Sequence, residues 1–413
     1  MSKKHLKRIE TIVPHTEKRV DIELNGKNLI IIGGNGCGKT RLLDLVYRRV
    51  FGHVVEKENK SLNELYRDLE TVQNYINKEG PSGSLYDYRL SQKKEVKDKI
   101  REAKKSTVSI RSLDDFILSK KRNESVLVFF DSGRKSEIDK PVSIEPIEVL
   151  KEQKENLGAK AAFPRLNGEY FEKYLVSLKT EQALLAVDNG KDEEFNRINS
   201  WFLKLEEDLR DLFEDDGLRL LFDRKSRCFK LKQKGKDSFS FQSLSSGFSS
   251  IMAIYAELLT RVSLNSIEPE CLKGLVFIDE IDAHLHVSLQ KKILSFFTKS
   301  FPNVQFIVTT HSPFVVSSVD DALIYDLSRC ESVEDLSMYS YEAVLEGLFG
   351  VSSASTELQD NIKELSNLLN ESPIDVNKIQ DLLRNIPEDR DVLDYESDYF
   401  VKSAELAIKK LKG

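Results

Sequence analysis

Eight residues near the N-terminus, GGNGCGKT at 33–40, leave this chain little freedom in how it folds. Before them stands NLIII, a continuous apolar run of the kind a buried strand needs. After them, RLLDLVYRRV repeats Leu42, Leu43, Val46 and Tyr47 at helical spacing. A strand that passes through glycines into a helix frames an anion. The glycines let backbone N–H groups curl around phosphates, and the helix N-terminus adds positive potential. Gly33, Gly38, Lys39 and Thr40 match G-x4-G-K-[ST] in the context that gives this pattern its meaning. Lys39 is expected to reach the outer phosphates of ATP, and Thr40 to hold Mg2+. Gly34, Asn35, Gly36, Cys37 and Arg41 complete the expected cradle.

Two later strands supply matching chemistry. LVFIDE is an apolar run ending in Asp279 and Glu280. Parallel sheets place ligand sites at the C-terminal ends of their strands. Asp279 is expected to act on Mg2+, and Glu280 to polarise the attacking water. IVTTHSP puts His311 just past another apolar run, where an imidazole can contact the γ-phosphate and sense its loss.

The chain has 413 residues, enough for two or three compact units, and 40% hydrophobic residues give it a core to bury. A net charge of −6 excludes a generally basic nucleic-acid coat, so any DNA contact must use a local patch. Cys37, Cys228, Cys271 and Cys330 show no metal spacing and read as reduced thiols of a cytoplasmic protein. MSKKHLKRIETIV lacks the apolar segment of a secretory leader, and no apolar run reaches membrane-spanning length. The reading is therefore cytoplasmic, with no membrane partner.

HLKRIETI and RVDIEL alternate as strands, and SVLVFF and VQFIVTT read as buried strands. Leu62, Leu65, Leu69, Val72 and Ile76 form an amphipathic stripe that suits packing on the chain itself or on another subunit. Residues 168–216 read as helical, 218–236 as a hairpin, and the chain beyond about 346 as short helices.

FQSLSSGFSS, at 241–250, is a hydroxyl-rich turn opening a helix. It offers serine hydroxyls, a glycine and free N–H groups, an anion site with no phosphate of its own. That makes sense if Ser245, Ser246 and Gly247 meet the ATP held by a second subunit. This order of motifs resembles the ABC-type ATPases, whose signature reads L-S-G-G-Q. Here Leu244-Ser245-Ser246-Gly247-Phe248 departs at two positions, which is similar to the SMC, RecF and OLD-like branch rather than to transporters. DEIDAHLHVSLQ resembles the D-loop of that branch and implies that Asp282 lies at a dimer interface. With FEKYLVSLKTEQALLA at 171–186, the chain looks most like the PtuA-type ATPases of Septu antiphage systems and their retron-associated relatives. The ATPase of PARIS systems is a further candidate.

The resemblance implies an α/β fold: an ABC-type P-loop ATPase head with a twisted mixed sheet and flanking helices, a helical insertion and a helical tail. The head would span 1–50 and 125–345, the insertion 51–124, and a partner-docking tail 346–413. It implies an ATP-sandwiched homodimer, higher-order assembly, and a separate nuclease effector regulated in trans. OLD-type enzymes carry a TOPRIM nuclease after the ATPase, but residues 346–413 lack strand-borne acidic clusters. The nuclease is thus expected on another chain, HNH type first and TOPRIM type second. An SMC- or RecF-like DNA-repair clamp without a nuclease is the alternative.

Other features carry two readings. RKSRCFKLKQKGK places seven Lys/Arg in thirteen residues, as a DNA contact or a solvated strand face. His284 and His286 are structural or metal-binding. Arg134, after a strand, and Gln182, as a lobe-coupling glutamine, are further candidates.

Overall fold

The computed structural model describes residues 5–56, 62–81, 83–122, 124–134, 138, 145–147, 149–150, 152, 168–188, 193–264, 269–319, 321–333, 344–349, 356–370, 375–387, 393 and 395–412. The chain divides into two compact units, residues 1–338 and 339–413.

The strands of the first unit are β1 (Leu6–Ile12), β2 (Arg19–Glu23), β3 (Asn28–Ile32), β4 (Ser106–Ile110), β5 (Ser125–Phe130), β6 (Arg219–Asp223), β7 (Cys228–Lys232), β8 (Phe239–Ser240), β9 (Lys273–Ile278), β10 (Val304–Thr309), β11 (Ala322–Asp326) and β12 (Glu331–Val333). Six of them form the main sheet in the order β12-β11-β3-β10-β9-β5. All its pairings are parallel except β11 with β12, so the sheet is mixed. β3, β5 and β10 are buried at every position. A strand covered on both faces has no polar side to alternate with, which is why these segments read as continuous apolar runs.

The helices are α1 (Lys39–Phe51), α2 (Leu62–Glu79), α3 (Tyr86–Lys105), α4 (Leu113–Lys121), α5 (Gly168–Asp188), α6 (Glu193–Phe213), α7 (Ser246–Leu264), the one-turn α8 (Val287–Gln290), α9 (Ile293–Ser300) and the one-turn α10 (Pro313–Val316). Alternation along the strands gives each sheet face its own helices. On one face, Leu29, Ile31, Phe129, Phe277 and Ile307 share a core with Leu42, Val46 and Tyr47 of α1. The Tyr47 ring lies 5.3 Å from Phe129 and 5.4 Å from Phe277. On the other, Phe306 stacks on Phe297 of α9 at 5.8 Å. This is the mixed sheet with flanking helices expected of an ABC-type head.

A second sheet, β2-β1-β4, is antiparallel and is stitched to the main one by buried amides. Gln305, fully buried on β10, accepts from Leu6 N at 2.8 Å and donates to the carbonyls of Leu6 and Lys27. Within the main sheet, Asn28 at the start of β3 accepts from Phe306 N of β10 at 2.9 Å. Residues 51–124 are therefore not helical throughout, because β4 belongs to this sheet. The α2 stripe faces inward at Leu65 and Ile76, and α2 packs against α3. The third sheet is the β6-β7-β8 meander, with the basic segment as its first hairpin.

The second unit contains α11 (Thr356–Asn370), α12 (Val376–Arg384) and α13 (Tyr395–Lys412). Ile362, Leu365, Leu368, Ile379, Val401 and Ala404 give it a core of its own.

Gly274 carries the tightest constraint in the main sheet. Its φ is +130, and a Cβ there would stand 1.9 Å from the carbonyl oxygen of Val126 on β5. Gly274→Ala should cost at least about 3 kcal/mol in urea unfolding, through strain and lost β5–β9 pairing. Gly235→Ala, at φ +73 with nothing within 4 Å, should cost only about 1 kcal/mol.

Candidate functional site

The glycine loop joins β3 to α1 through three residues in the left-handed region, Gly33, Gly36 and Gly38, with φ of 139, 73 and 106. Two of them also lack room for a side chain. A Cβ at Gly33 would meet Ser328 Oγ at 2.9 Å, and one at Gly38 would meet Val13 at 2.8 Å. Ser328 Oγ accepts from Gly34 N at 2.9 Å, fixing the loop from the β11 side. Lys39 opens α1 with its ammonium folded onto the loop, donating to the carbonyls of Gly33 at 2.9 Å and Gly34 at 3.1 Å. Burial pushes its pKa below the ordinary lysine value, against the pull of Cys37, Glu280, Asp279 and Asp282.

Thr40 Oγ1 donates to the carboxylate of Asp279 at 2.9 Å. Asp279 is 2% exposed and also accepts from Thr309 Oγ1 at 2.6 Å. Thr309 Oγ1 in turn accepts from the N–H of Glu280 at 2.7 Å. Glu280 itself sits at φ +46, an uncommon conformation for a residue with a Cβ. Three elements thus converge: the start of α1 and the ends of β9 and β10. The hydroxyl of Thr40 and the carboxylate of Asp279 are hard oxygen donors side by side, a set that fits Mg2+.

The next turn is tied to the same strand end. Asp282 accepts from Thr310 Oγ1 at 2.6 Å and from His311 N at 3.4 Å. Ser312 caps α10 and donates to Gln290 Oε1 at 2.6 Å. Burial, followed by the charge of Lys39, lowers the pKa of His311, which favours the neutral imidazole. His286 caps α8 and His284 is exposed in the left-handed region. Among the described residues no group of three or more His, Cys, Asp and Glu side chains is gathered, and His286 accepts from Ser288 N as the cap of α8.

The serine turn is built separately. Ser240 and Ser243 form a reciprocal capping box just before it. Gln242 donates to Glu172 of α5 at 2.6 Å, and that fully buried carboxylate also accepts from Phe229 N. Ser245 and Ser246 are exposed, while Gly247 is buried, and a Cβ there would stand 3.0 Å from the carbonyl oxygen of His284. Phe248 stacks on Phe213 of α6 at 4.3 Å, so this departure from the expected glutamine serves packing. No hydrogen bond among the described residues joins Ser245 or Ser246 to the glycine loop of the same chain.

Arg134 is buried against the end of β9 and hydrogen-bonds Ser250 of α7. Gln182 does not reach the site: it pairs with Lys179 at 2.7 Å and faces Asn199, within the α5–α6 pair. Glu172, Ser250, Thr309 and Thr310 were not singled out by the sequence reading. Thr309 and Thr310 lie inside VTTHSP, where two threonines before the histidine were the available signal. On the basic hairpin, Lys230 pairs with Asp223 at 2.8 Å, so part of its charge is already balanced.

Thr310→Val would leave Asp282 without its closest donor. It should speed amide hydrogen exchange across 281–290 by about tenfold or more while leaving β3 unchanged, because a lost buried hydrogen bond costs about 1–3 kcal/mol locally.

The family model described as "AAA domain, putative AbiEii toxin, Type IV TA system" matches residues 29–317. The Escherichia coli protein "Retron Ec83 probable ATPase" is 43% identical over 99 residues, 23% of this chain and 18% of that protein. "Septu protein PtuA" of Bacillus mycoides (strain KBAB4) is 28% identical over 165 residues, 40% of this chain and 21% of that protein. The chain thus aligns with about a fifth of the length of these relatives. Among solved structures, the Smc head bound to the C-winged helix domain of ScpA is 14% identical, covers 79% of this chain and 96% of that one, and has a TM-score of 0.36. The chain belongs to the AAA-domain family that the model describes.

Proposed function

We propose that this AAA-family chain binds ATP with Mg2+, hydrolyses it at a site completed by a second copy of itself, and through that cycle regulates a separate nuclease in antiphage defence. One observation carries the reading. Lys39, Thr40, Asp279, Glu280 and His311 lie at the adjoining ends of three elements, while among the described residues no hydrogen bond joins the exposed Ser245–Ser246 turn to that loop.

In this reading the loop N–H groups and Lys39 bind the phosphates, and Lys39 exchanges the carbonyls of Gly33 and Gly34 for phosphate oxygens. Thr40 and Asp279 hold Mg2+, which when bound supplies neutralising charge at the phosphates. Glu280 orients a water and takes its proton as the water oxygen bonds to the γ-phosphorus. The bond to the bridging oxygen breaks, and ADP leaves with the electron pair. His311 contacts the γ-phosphate. Ser245, Ser246 and Gly247 of the second copy close the remaining side, with Asp282 at the interface. The defence role is supported by the relatives named as Septu and retron proteins, and the nuclease partner, HNH type first, is what the resemblance to PtuA-type ATPases implies. Higher-order assembly and a cytoplasmic location belong to the same proposal. No helix among the described residues is long and apolar enough to cross a membrane.

Purified protein should release phosphate from ATP. Lys39→Ala should lose nucleotide binding about tenfold or more, because the loop loses its one mobile cation. Glu280→Gln should bind ATP normally, accumulate as an ATP-bound dimer on sizing with light scattering, and turn over about 10²–10⁴-fold more slowly. Wild-type turnover by Glu280→Gln would contradict the assignment. A stoichiometric nuclease recovered with the Glu280→Gln protein from its host would support the regulatory part; recovery of DNA alone would favour a repair clamp.

A further inference from the structure

Arg134 is 8% exposed, yet no carboxylate among the described residues pairs with it directly. Its five N–H groups instead meet five acceptors. Nε donates to Ser250 Oγ at 2.8 Å. Nη1 donates to the carbonyls of Asp131 at 3.2 Å and Asp279 at 3.0 Å. Nη2 donates to the carbonyls of Glu280 at 3.2 Å and Ile281 at 3.4 Å. Burying a guanidinium is costly, and the negative charges of Asp131, Asp282, Asp279 and Glu280 nearby offset that cost. Surplus charge alone would not require this geometry. A planar fork that spans three successive carbonyls and a hydroxyl on another element is a property of arginine that lysine lacks.

The two ends of that fork differ. One holds residues 279–281, the turn in which Glu280 adopts its left-handed φ of +46. The other holds Ser250, which is 3% exposed and one turn into α7, directly after the exposed serine turn. A second contact runs alongside: Gly247 packs against the backbone of His284, where a Cβ would make a tight contact of 3.0 Å with the carbonyl oxygen. The start of α7 is therefore fastened to the segment bearing Glu280 at two points. Displacement of α7 would pull on carbonyl oxygens whose positions set the direction of the Glu280 side chain.

We infer that Arg134 is a positioning residue that ties the signature helix to Glu280 within one chain, so that seating of the serine turn on a partner's nucleotide aligns the water-activating carboxylate of the chain that bears the turn. The inference rests on the site reading given above. In a symmetric dimer each closure would then prepare the opposite site, making turnover cooperative between the two.

The test compares wild type with Arg134→Lys, Ser250→Ala and the double variant, by steady-state ATPase kinetics, binding of a fluorescent ATP analogue and thermal melting. Arg134→Lys should lower kcat about tenfold or more with KM and analogue affinity within about threefold of wild type, the pattern of lost alignment rather than lost binding. Ser250→Ala should lower kcat about threefold or more and reduce the Hill coefficient for ATP, and the double variant should match Arg134→Lys because both act through one link. Wild-type kcat in Arg134→Lys, or a parallel loss of analogue affinity, would overturn the inference; so would additive effects in the double variant. If Arg134→Lys does not fold, Ser250→Ala decides alone: wild-type kcat and cooperativity would overturn it. Wild-type protein that fails to hydrolyse ATP would sink the site reading itself, whereas active wild type beside unaffected variants removes only the role of Arg134.

Discussion

Asp279 is the point on which the site depends. Its carboxylate is 2% exposed and holds two hydroxyls, Thr40 from the start of α1 and Thr309 from the end of β10. Hydrogen bonds to charged groups contribute about 1.5–3 kcal/mol each, and leaving such a group unpaired in the interior costs more. The same Thr309 hydroxyl accepts from Glu280 N, so the chain of contacts runs from the glycine loop to the next acidic residue. The parallel pairing of β10 with both β3 and β9 brings these groups within reach. The same sheet continues from β9 to β5 through the close backbone approach that Gly274 permits at Val126, and Tyr47 packs on Phe129 and Phe277 across those two strands.

Around this centre the chain builds a second, differently supported structure. The serine turn is held by Gln242 on Glu172, by Phe248 on Phe213, and by Arg134 on Ser250. The Arg134–Ser250 contact and the Glu172 carboxylate are buried beneath exposed hydroxyls. The turn is anchored from below while Ser245 and Ser246 stay exposed, as the proposed two-chain site requires. The D-loop lies between it and the strand end, with Gly247 against His284 on one side and Asp282 on Thr310 on the other. Movement on either side has a short mechanical path to the other.

Much of this was legible in the sequence, for definite reasons. NLIII, SVLVFF and VQFIVT are buried on both faces and must be apolar throughout. The glycines at 33 and 38 stand where a side chain has no room, so the loop announces itself. β4 was not legible, because it follows a lysine-rich helix and its identity comes from pairing with β1 across about a hundred residues of chain. Arg134 was visible only as an arginine after a strand. Its partners are mostly backbone carbonyls, which every residue possesses and no sequence pattern marks. Glu172 was hidden in the same way, since one of its partners is the N–H of Phe229. Gln182 meets Lys179 and Asn199 in the α5–α6 pair, and a glutamine on a helix reads alike in sequence whether it faces a neighbouring helix or a nucleotide.

The central claim is that each ATP site draws on two chains, and mixing two inactive variants tests it most directly. Glu280→Gln removes the water-activating group of its own site, and Ser246→Arg blocks the serine turn it offers to its partner. In a mixed dimer one site carries both defects and the other carries neither. The account predicts that each variant alone is inactive and that an equimolar mixture recovers measurable ATP hydrolysis, though less than statistical mixing alone would give, because the blocked turn of the Ser246→Arg chain no longer helps to align the Glu280 of that same chain. A mixture that stays inactive while remaining dimeric, or full activity in Ser246→Arg alone, would contradict it.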